Sequence, residues 1–137
     1  QVMGGYRITF RNLTVFCGRV GVNANLFIAR GGSGASTPTD IVFENDEIIA
    51  FRDISPQAPV HVLFVPKRRF DTLNDVPDSE ALMLASLMLA AKAYAKSVGI
   101  ADDGYRLVMN CNRNGGQTVY HIHMHLLGGA PLTGGFA

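Results

Sequence analysis

The sequence holds too few cysteines for a disulfide or zinc scaffold, no apolar run long enough to cross a membrane, and no acid in its first 39 positions. Cys17 and Cys111 lie far apart and outside any Cys-x-x-Cys pair. Two such residues cannot build a disulfide framework, and a zinc ribbon or finger needs more ligands at closer spacing. Both are expected as reduced thiols in a reducing compartment, with Cys111 buried in a strand. A membrane-crossing helix needs about 20 consecutive apolar residues, and nothing here approaches that. The expectation is a soluble protein with no membrane partner.

Net charge is scarce as well, at +1 over 137 residues. Arg7, Arg11, Arg19 and Arg30 carry all the charge of residues 1–39, while every acid falls in residues 40–137. The body is therefore slightly negative, which argues against a nucleic-acid partner. If it handles a phosphate, it must do so with local donors rather than a broad positive field. What is present is a composition of 47% hydrophobic and 17% charged residues. That is the balance of one folded domain with one real core.

Residues 1–39 stand apart as a divergent N-terminal arm or extension. They end in Gly31-Gly32-Ser33-Gly34-Ala35-Ser36-Thr37-Pro38, a turn or linker composition. Two readings fit: an Arg-bearing organellar transit segment, or an added edge strand built from β-rich stretches such as Tyr6–Phe10 and Thr14–Phe16. The location is accordingly read as cytoplasmic, with mitochondrial as the alternative. From residue 40 the pattern is compact, with no internal repeat. Ile41–Glu44, Glu47–Arg52, Val60–Pro66, Tyr105–Cys111 and Val119–Leu127 read as strands, and Pro77 opens a helix that runs to Val98 and stops at Gly99. Strands, one helix and strands again predict an α+β fold, an antiparallel five-stranded sheet with one long helix. Ala81–Ala85 and Leu87–Ala91 are apolar around most of the helix, so a second subunit is the expected cover and a homodimer the expected assembly.

Three of the four histidines fall within five residues: His121-Ile122-His123-Met124-His125. On a strand they share one face, while Ile122, Met124 and Leu126 fill the core. Two chemistries use such a row. His-x-His can present ring nitrogens to a metal, with His61 or an acid as a further ligand. Alternatively a neutral imidazole can attack phosphorus and carry a covalent adduct. Gly115-Gly116-Gln117-Thr118 immediately precedes the row. Glycine backbone N–H groups, an amide and a hydroxyl make a cradle for phosphate oxygens. With no paired cysteines and no carboxylate beside the row in sequence, the expectation is a site without metal or other cofactor.

Gly115-Gly116-Gln117-Thr118-Val119-Tyr120-His121-Ile122-His123-Met124-His125-Leu126-Leu127 resembles the signature of the histidine triad (HIT) superfamily, His-φ-His-φ-His-φ-φ with φ apolar. Ala50–His61, running on to Val65-Pro66-Lys67, is similar to the branch called histidine triad nucleotide-binding proteins. The resemblance spans roughly residues 40–129. It implies that His123 is the nucleophile, that the carbonyl of His121 holds its other ring nitrogen, and that His125 bonds phosphate and leaving-group oxygens with His61 behind it. It further implies that Asn110, Gly116, Gln117 and Thr118 contact phosphate and leaving group, that Asp53 grips the ribose, and that Phe51 and Ile54 flank the base, with Leu26 and Phe27 completing that pocket. The family often has Ser where Thr118 stands. Its usual Cys-x-x-Cys opening is missing, which removes the structural zinc of some relatives. The tail Ala130–Ala137 has no tryptophan, and tails of this branch shape the leaving-group side. The implied partner is a purine nucleotide, as an AMP or GMP conjugate hydrolysed at its P–N or P–O bond through a nucleotidyl-histidine. A dinucleoside polyphosphate hydrolase, a His-x-His metalloenzyme and a catalytically weak nucleotide-binding interaction protein are the alternatives.

Overall fold

The computed structural model describes residues 41–134 in full. Of residues 1–40 it describes only the backbone of four strands: β1 (Tyr6–Phe10), β2 (Leu13–Val20), β3 (Asn23–Arg30) and β4 (Ala35–Ser36). The chain divides into two units, Gln1–Ile41 and Val42–Ala137. In the first, β1 to β4 pair in sequence order as an antiparallel sheet. Leu26 and Phe27 lie on β3, opposite Cys17 and Phe16. Their side chains, and hence their expected place in a base pocket, fall outside the described residues.

The second unit is the expected open sheet with one long helix. Strands β5 (Ile41–Glu44), β6 (Ile48–Arg52), β7 (Val60–Pro66), β8 (Tyr105–Val108) and β9 (Met124–Gly128) are arranged in the order β5-β6-β7-β9-β8. The last strand in sequence is thus inserted beside β7, and β8 takes the edge. The reason lies in side-chain character. β6 and β7 are nearly continuous apolar runs, buried along almost their whole length, and such strands belong inside a sheet. β8 is only half-buried throughout.

Alternation divides the sheet into two faces. Ile48, Ala50, Val62, Phe64, Met124 and Leu126 turn toward helix α1 (Ala81–Ser97) and form one core with its Met83, Leu87, Ala91 and Ala95. The opposite face carries Phe51, Leu63, His125 and Val108 in one cross-strand row, and His61, Leu127 and Arg106 in the next. No helix among the described residues is long and apolar enough to cross a membrane.

The helix starts later than the sequence predicts. Leu73–Asp75 and Asp78–Glu80 are single 3-10 turns, and regular α-helix begins only at Ala81. The Asp75 carboxylate accepts from the backbone N–H and hydroxyl of Thr72, at 3.0 and 2.9 Å. That local bonding closes a separate turn before Pro77, in place of a continuous helix. The C-terminal end is as expected. Gly99 has φ +79°, Ile100 N–H donates to Ala95 O at 3.0 Å, and Gly99 N–H donates to Lys96 O at 3.2 Å. These two bonds make a Schellman motif, with Ile100 and Ala95 supplying its apolar contact in the core.

Two strands are shorter than expected. β8 ends at Val108, so Cys111 is half-buried outside the sheet rather than buried within it. β9 starts at Met124 rather than Val119, because the backbone of residues 119–122 is engaged elsewhere. Gln117 Nε2 donates to Val119 O, Arg69 to Tyr120 O, and His123 Nδ1 to His121 O, while Ile122 N–H donates to Phe70 O. Side chains and a neighbouring loop have replaced the ladder. Leu87 is fully buried at the centre of the helix face. We expect Leu87→Ala to cost about 2–5 kcal/mol of unfolding free energy in urea titration, and a loss below about 1 kcal/mol would contradict this packing.

Candidate active site

The histidines are positioned by backbone groups whose chemistry admits only one direction. A carbonyl oxygen can only accept, so His123 Nδ1, 2.7 Å from His121 O, carries the ring proton. In the neutral ring, which is half-buried, the lone pair of His123 then lies on Nε2. By the same logic His121 Nε2 carries its proton, donated to Pro66 O at 2.8 Å. A backbone N–H can only donate, and Gln57 N–H meets His61 Nδ1 at 3.0 Å. Neutral His61 therefore holds its proton on Nε2, which stands 2.9 Å from His125 Nδ1. His125 Nδ1 accepts it, so neutral His125 has its proton on Nε2. The rings of His123 and His125 are edge to face with centroids 5.0 Å apart, and those of His61 and His125 are 5.2 Å apart.

His61 and His125 meet because β7 and β9 are adjacent, with His61 opposite Leu127 and Leu63 opposite His125. The three clustered histidines do not share one environment, however. His125 lies on the open face of β9, His123 just precedes the strand, and His121 is buried against Pro66. Burial pushes the His121 pKa below its ordinary value of 6.5, and the nearby Arg69 and His123 push it the same way, against its bond to Pro66 and the charge of Asp71. Desolvation disfavours the imidazolium, so His121 is held neutral.

Asp53 is the residue whose position the sequence did not convey. Its side chain is 3% exposed, with Oδ2 3.5 Å from His61 Nε2. Oδ1 accepts from Ser55 N–H at 2.8 Å, and its own N–H donates to His61 O at 2.9 Å. The sequence places this residue at a ribose; in the structure its carboxylate lies beside the His61 ring. Phe51 is fully buried on the same face, and Ile54 is half-buried.

Asp53, His61 and His125 each offer a ligand atom within 4.8 Å of the others. Such a trio could surround a metal ion, yet the tautomers oppose it. His61 would have to ligate through Nε2, the nitrogen whose proton cannot move to Nδ1 while Gln57 N–H points there. A metal would have to displace that proton and leave the ring without a neutral form.

The glycine-rich segment divides into two roles. Gly116 is exposed, with φ +80°, a conformation that favours glycine. Thr118 is exposed beside it and Asn110 half-buried. Gln117 is buried, and its amide is committed to the chain. Oε1 accepts from Asn112 N–H at 2.8 Å, and Nε2 donates to Asp71 O at 2.7 Å and to Val119 O at 3.1 Å. Gln117 thus laces the 112–119 loop to the 71 loop, and the Gly116 N–H donates to Arg113 O at 3.0 Å, so the exposed Thr118 hydroxyl is the outward-facing donor of the segment. The parts that sequence reasoning missed are largely backbone: Gln57 N–H, Pro66 O and Asp71 O. No side-chain signal marks such atoms.

Comparison with known proteins agrees with this geometry. A family model described as HIT domain matches residues 35–132. A purine nucleoside phosphoramidase from Escherichia coli is 56% identical over 95 residues, covering 69% of this chain and 80% of that protein. The crystal structure of a HIT family hydrolase from Legionella pneumophila superposes with a TM-score of 0.68 at 52% identity, over 69% of this chain and 85% of the other. A histidine triad nucleotide-binding protein from Candida albicans gives 0.57 at 27% identity, over 72% and 76%.

The His121 shift has a measurable consequence. Between the lowered folded pKa and 6.5 the unfolded chain binds a proton that the native chain refuses. Stability is therefore full above 6.5 and falls as pH drops below it. The urea midpoint should decline on acidification from pH 7, and His121→Asn should remove that component. An unchanged pH profile in the variant would rule it out.

Proposed function

The chain belongs to the histidine triad family, and from that premise we propose that it hydrolyses purine nucleoside phosphoramidates, taking up the nucleotidyl group on His123. The observation that carries the reading is the bond from His123 Nδ1 to His121 O at 2.7 Å. It fixes the ring proton of neutral His123 on Nδ1, so the lone pair that a nucleophile toward phosphorus requires lies on Nε2. The 56% identity to a purine nucleoside phosphoramidase supports the choice of substrate.

In the first half-reaction Nε2 of His123 bonds to phosphorus and the P–N bond breaks. Charge on the phosphoryl oxygens is met by the hydroxyl of Thr118 and Nε2–H of His125, with Gly116 letting the backbone come close and Asn110 near the leaving group. The departing nitrogen needs a proton. His125 Nε2–H is the donor on that path, and solvent supplies the net proton. His61 and Asp53 hold the His125 ring from behind, and a sugar contact by Asp53 requires its carboxylate to turn outward. In the second half-reaction water bonds to phosphorus, the P–Nε2 bond breaks and a nucleoside monophosphate leaves. Phe51 and Ile54 are assigned to the base side, and Gln117 to shaping the loop. No metal enters the scheme.

His123→Ala should abolish turnover of adenosine phosphoramidates while AMP binding stays within about tenfold, since binding draws on groups other than the nucleophile. Rapid-quench mass spectrometry of the wild-type protein should capture a nucleotidyl adduct on His123. Full activity in the variant would end this reading.

The assembly proposed with it is a homodimer. Leu82, Met88 and Leu89 are 83%, 54% and 60% exposed on α1, an apolar stripe on the helix that a second copy would cover. Light scattering should give twice the chain mass at micromolar concentration, falling to one chain in Leu89→Glu. A wild-type monomer at that concentration would exclude it.

A further inference from the structure

Beyond the histidine cluster, on the same face of the sheet, lies an arginine that the reaction above does not use. Arg106 is directly opposite Leu127, and its neighbour Val108 is opposite His125. Tyr105 and Leu107 pack toward the helix core, so Arg106 projects from the other face. It is the diagonal cross-strand neighbour of His125, a separation that a long side chain spans.

Two observations distinguish it from a solvated surface cation. Among the described residues Arg106 makes no ion pair and no side-chain hydrogen bond, although it is half-buried. Asp103, which lines an adjoining cavity with it, makes no ion pair either. Arg106 also lines a cavity of about 320 Å³ together with Gln57, Pro59, Leu127, Pro131 and Leu132. Gln57 is the residue whose N–H fixes His61, so this cavity opens from the flank of the relay. Beside the guanidinium its lining mixes the apolar side chains of Pro59, Leu127, Pro131 and Leu132 with polar Gln57 and Thr133, so an anion held there would gain a charge-assisted bond.

We propose that Arg106 is an anion subsite for the departing half of the substrate, so that preferred conjugates carry a carboxylate or phosphate on their amine. This rests on the phosphoramidase reading and adds the substrate class. Guanidinium matches either anion through paired N–H donors, and the side chains of Pro59, Leu127 and Leu132 offer apolar surface to the short chain that joins it to nitrogen. Arg106 touches the leaving group and not the reacting phosphorus, so it sets specificity rather than rate for small neutral amines.

The test uses AMP amides of propylamine, β-alanine, 2-aminoethyl phosphate and ethylenediamine, with wild-type protein, R106Q, R106K and R106E. Thermal midpoints confirm that each variant folds. We expect wild-type kcat/KM to favour the two anionic amides over the propyl amide by about tenfold or more. R106Q should erase that preference while changing the propyl amide by less than about threefold, and R106K should keep part of it. R106E should invert it toward the ethylenediamine amide, an outcome that a merely structural role would not produce. The β-alanine and aminoethyl phosphate arms separate carboxylate from phosphate as the favoured group. Equal selectivity across wild type, R106Q and R106E overturns the subsite. If wild-type protein cleaves none of the four, the phosphoramidase reading fails instead. Calorimetric affinities for the same uncleaved conjugates then decide Arg106 separately, with equal affinities in wild type and R106Q counting against it.

Discussion

The N–H of Gln57 and the carbonyl of His121 are the groups on which the site depends, because neither can change its hydrogen-bonding role. The first obliges His61 to keep its proton on Nε2, and that proton in turn makes Nδ1 of His125 an acceptor. The second obliges His123 to keep its proton on Nδ1. Imidazole alone has two tautomers of similar energy, and four rings would admit many combinations. Two main-chain atoms, with Pro66 O for His121, reduce them to one. The histidines supply reactivity and the backbone supplies direction.

That direction is only as good as the frame that holds the backbone still. β7 turns Val62 and Phe64 toward the helix, so its register is strongly specified: a slip by one residue would move the His61 ring into the helix core. The end of β9 is fixed just as firmly. A Cβ on Gly128 would come within 2.8 Å of Ile100 Cδ1 and 3.3 Å of Tyr105 Cβ, so a larger residue there would have to displace the Ile100 side chain that closes the Schellman turn. Helix terminus and histidine strand are therefore set against each other. Ahead of the strand, the amide of Gln117 performs the same task for the loop, with three bonds to main-chain groups.

The sheet, the helix and the two motif segments were legible in the sequence because they follow from apolar periodicity and from residue types that are individually unusual. The alternation His-Ile-His-Met-His sends Ile122 and Met124 into the core as expected. What was not legible came from main-chain bonding. The ends of β8 and β9, and the 3-10 turns before the helix, depend on which side chain reaches which carbonyl. Gln117 and Asp53 illustrate the limit. Their identities suggested ligand contacts, while the bonds of the Gln117 amide to main-chain groups and the place of the Asp53 carboxylate beside His61 emerge only from the fold. Arg106 carried no signal at all until the strand register placed it beside His125.

Placing β9 between β7 and β8 has a consequence for how the molecule comes into being. His61 and His125 are 64 positions apart, and no shorter piece of chain contains both rings. Contacts of such sequence separation close late and slowly compared with local ones. A nascent chain emerging N-terminus first would display the apolar β6 and β7 long before the strand that completes the sheet. The reactive imidazole would be the last part to acquire its tautomer. Turnover is thus an all-or-none reporter of complete folding, and any partly folded species competing with the native one is chemically silent.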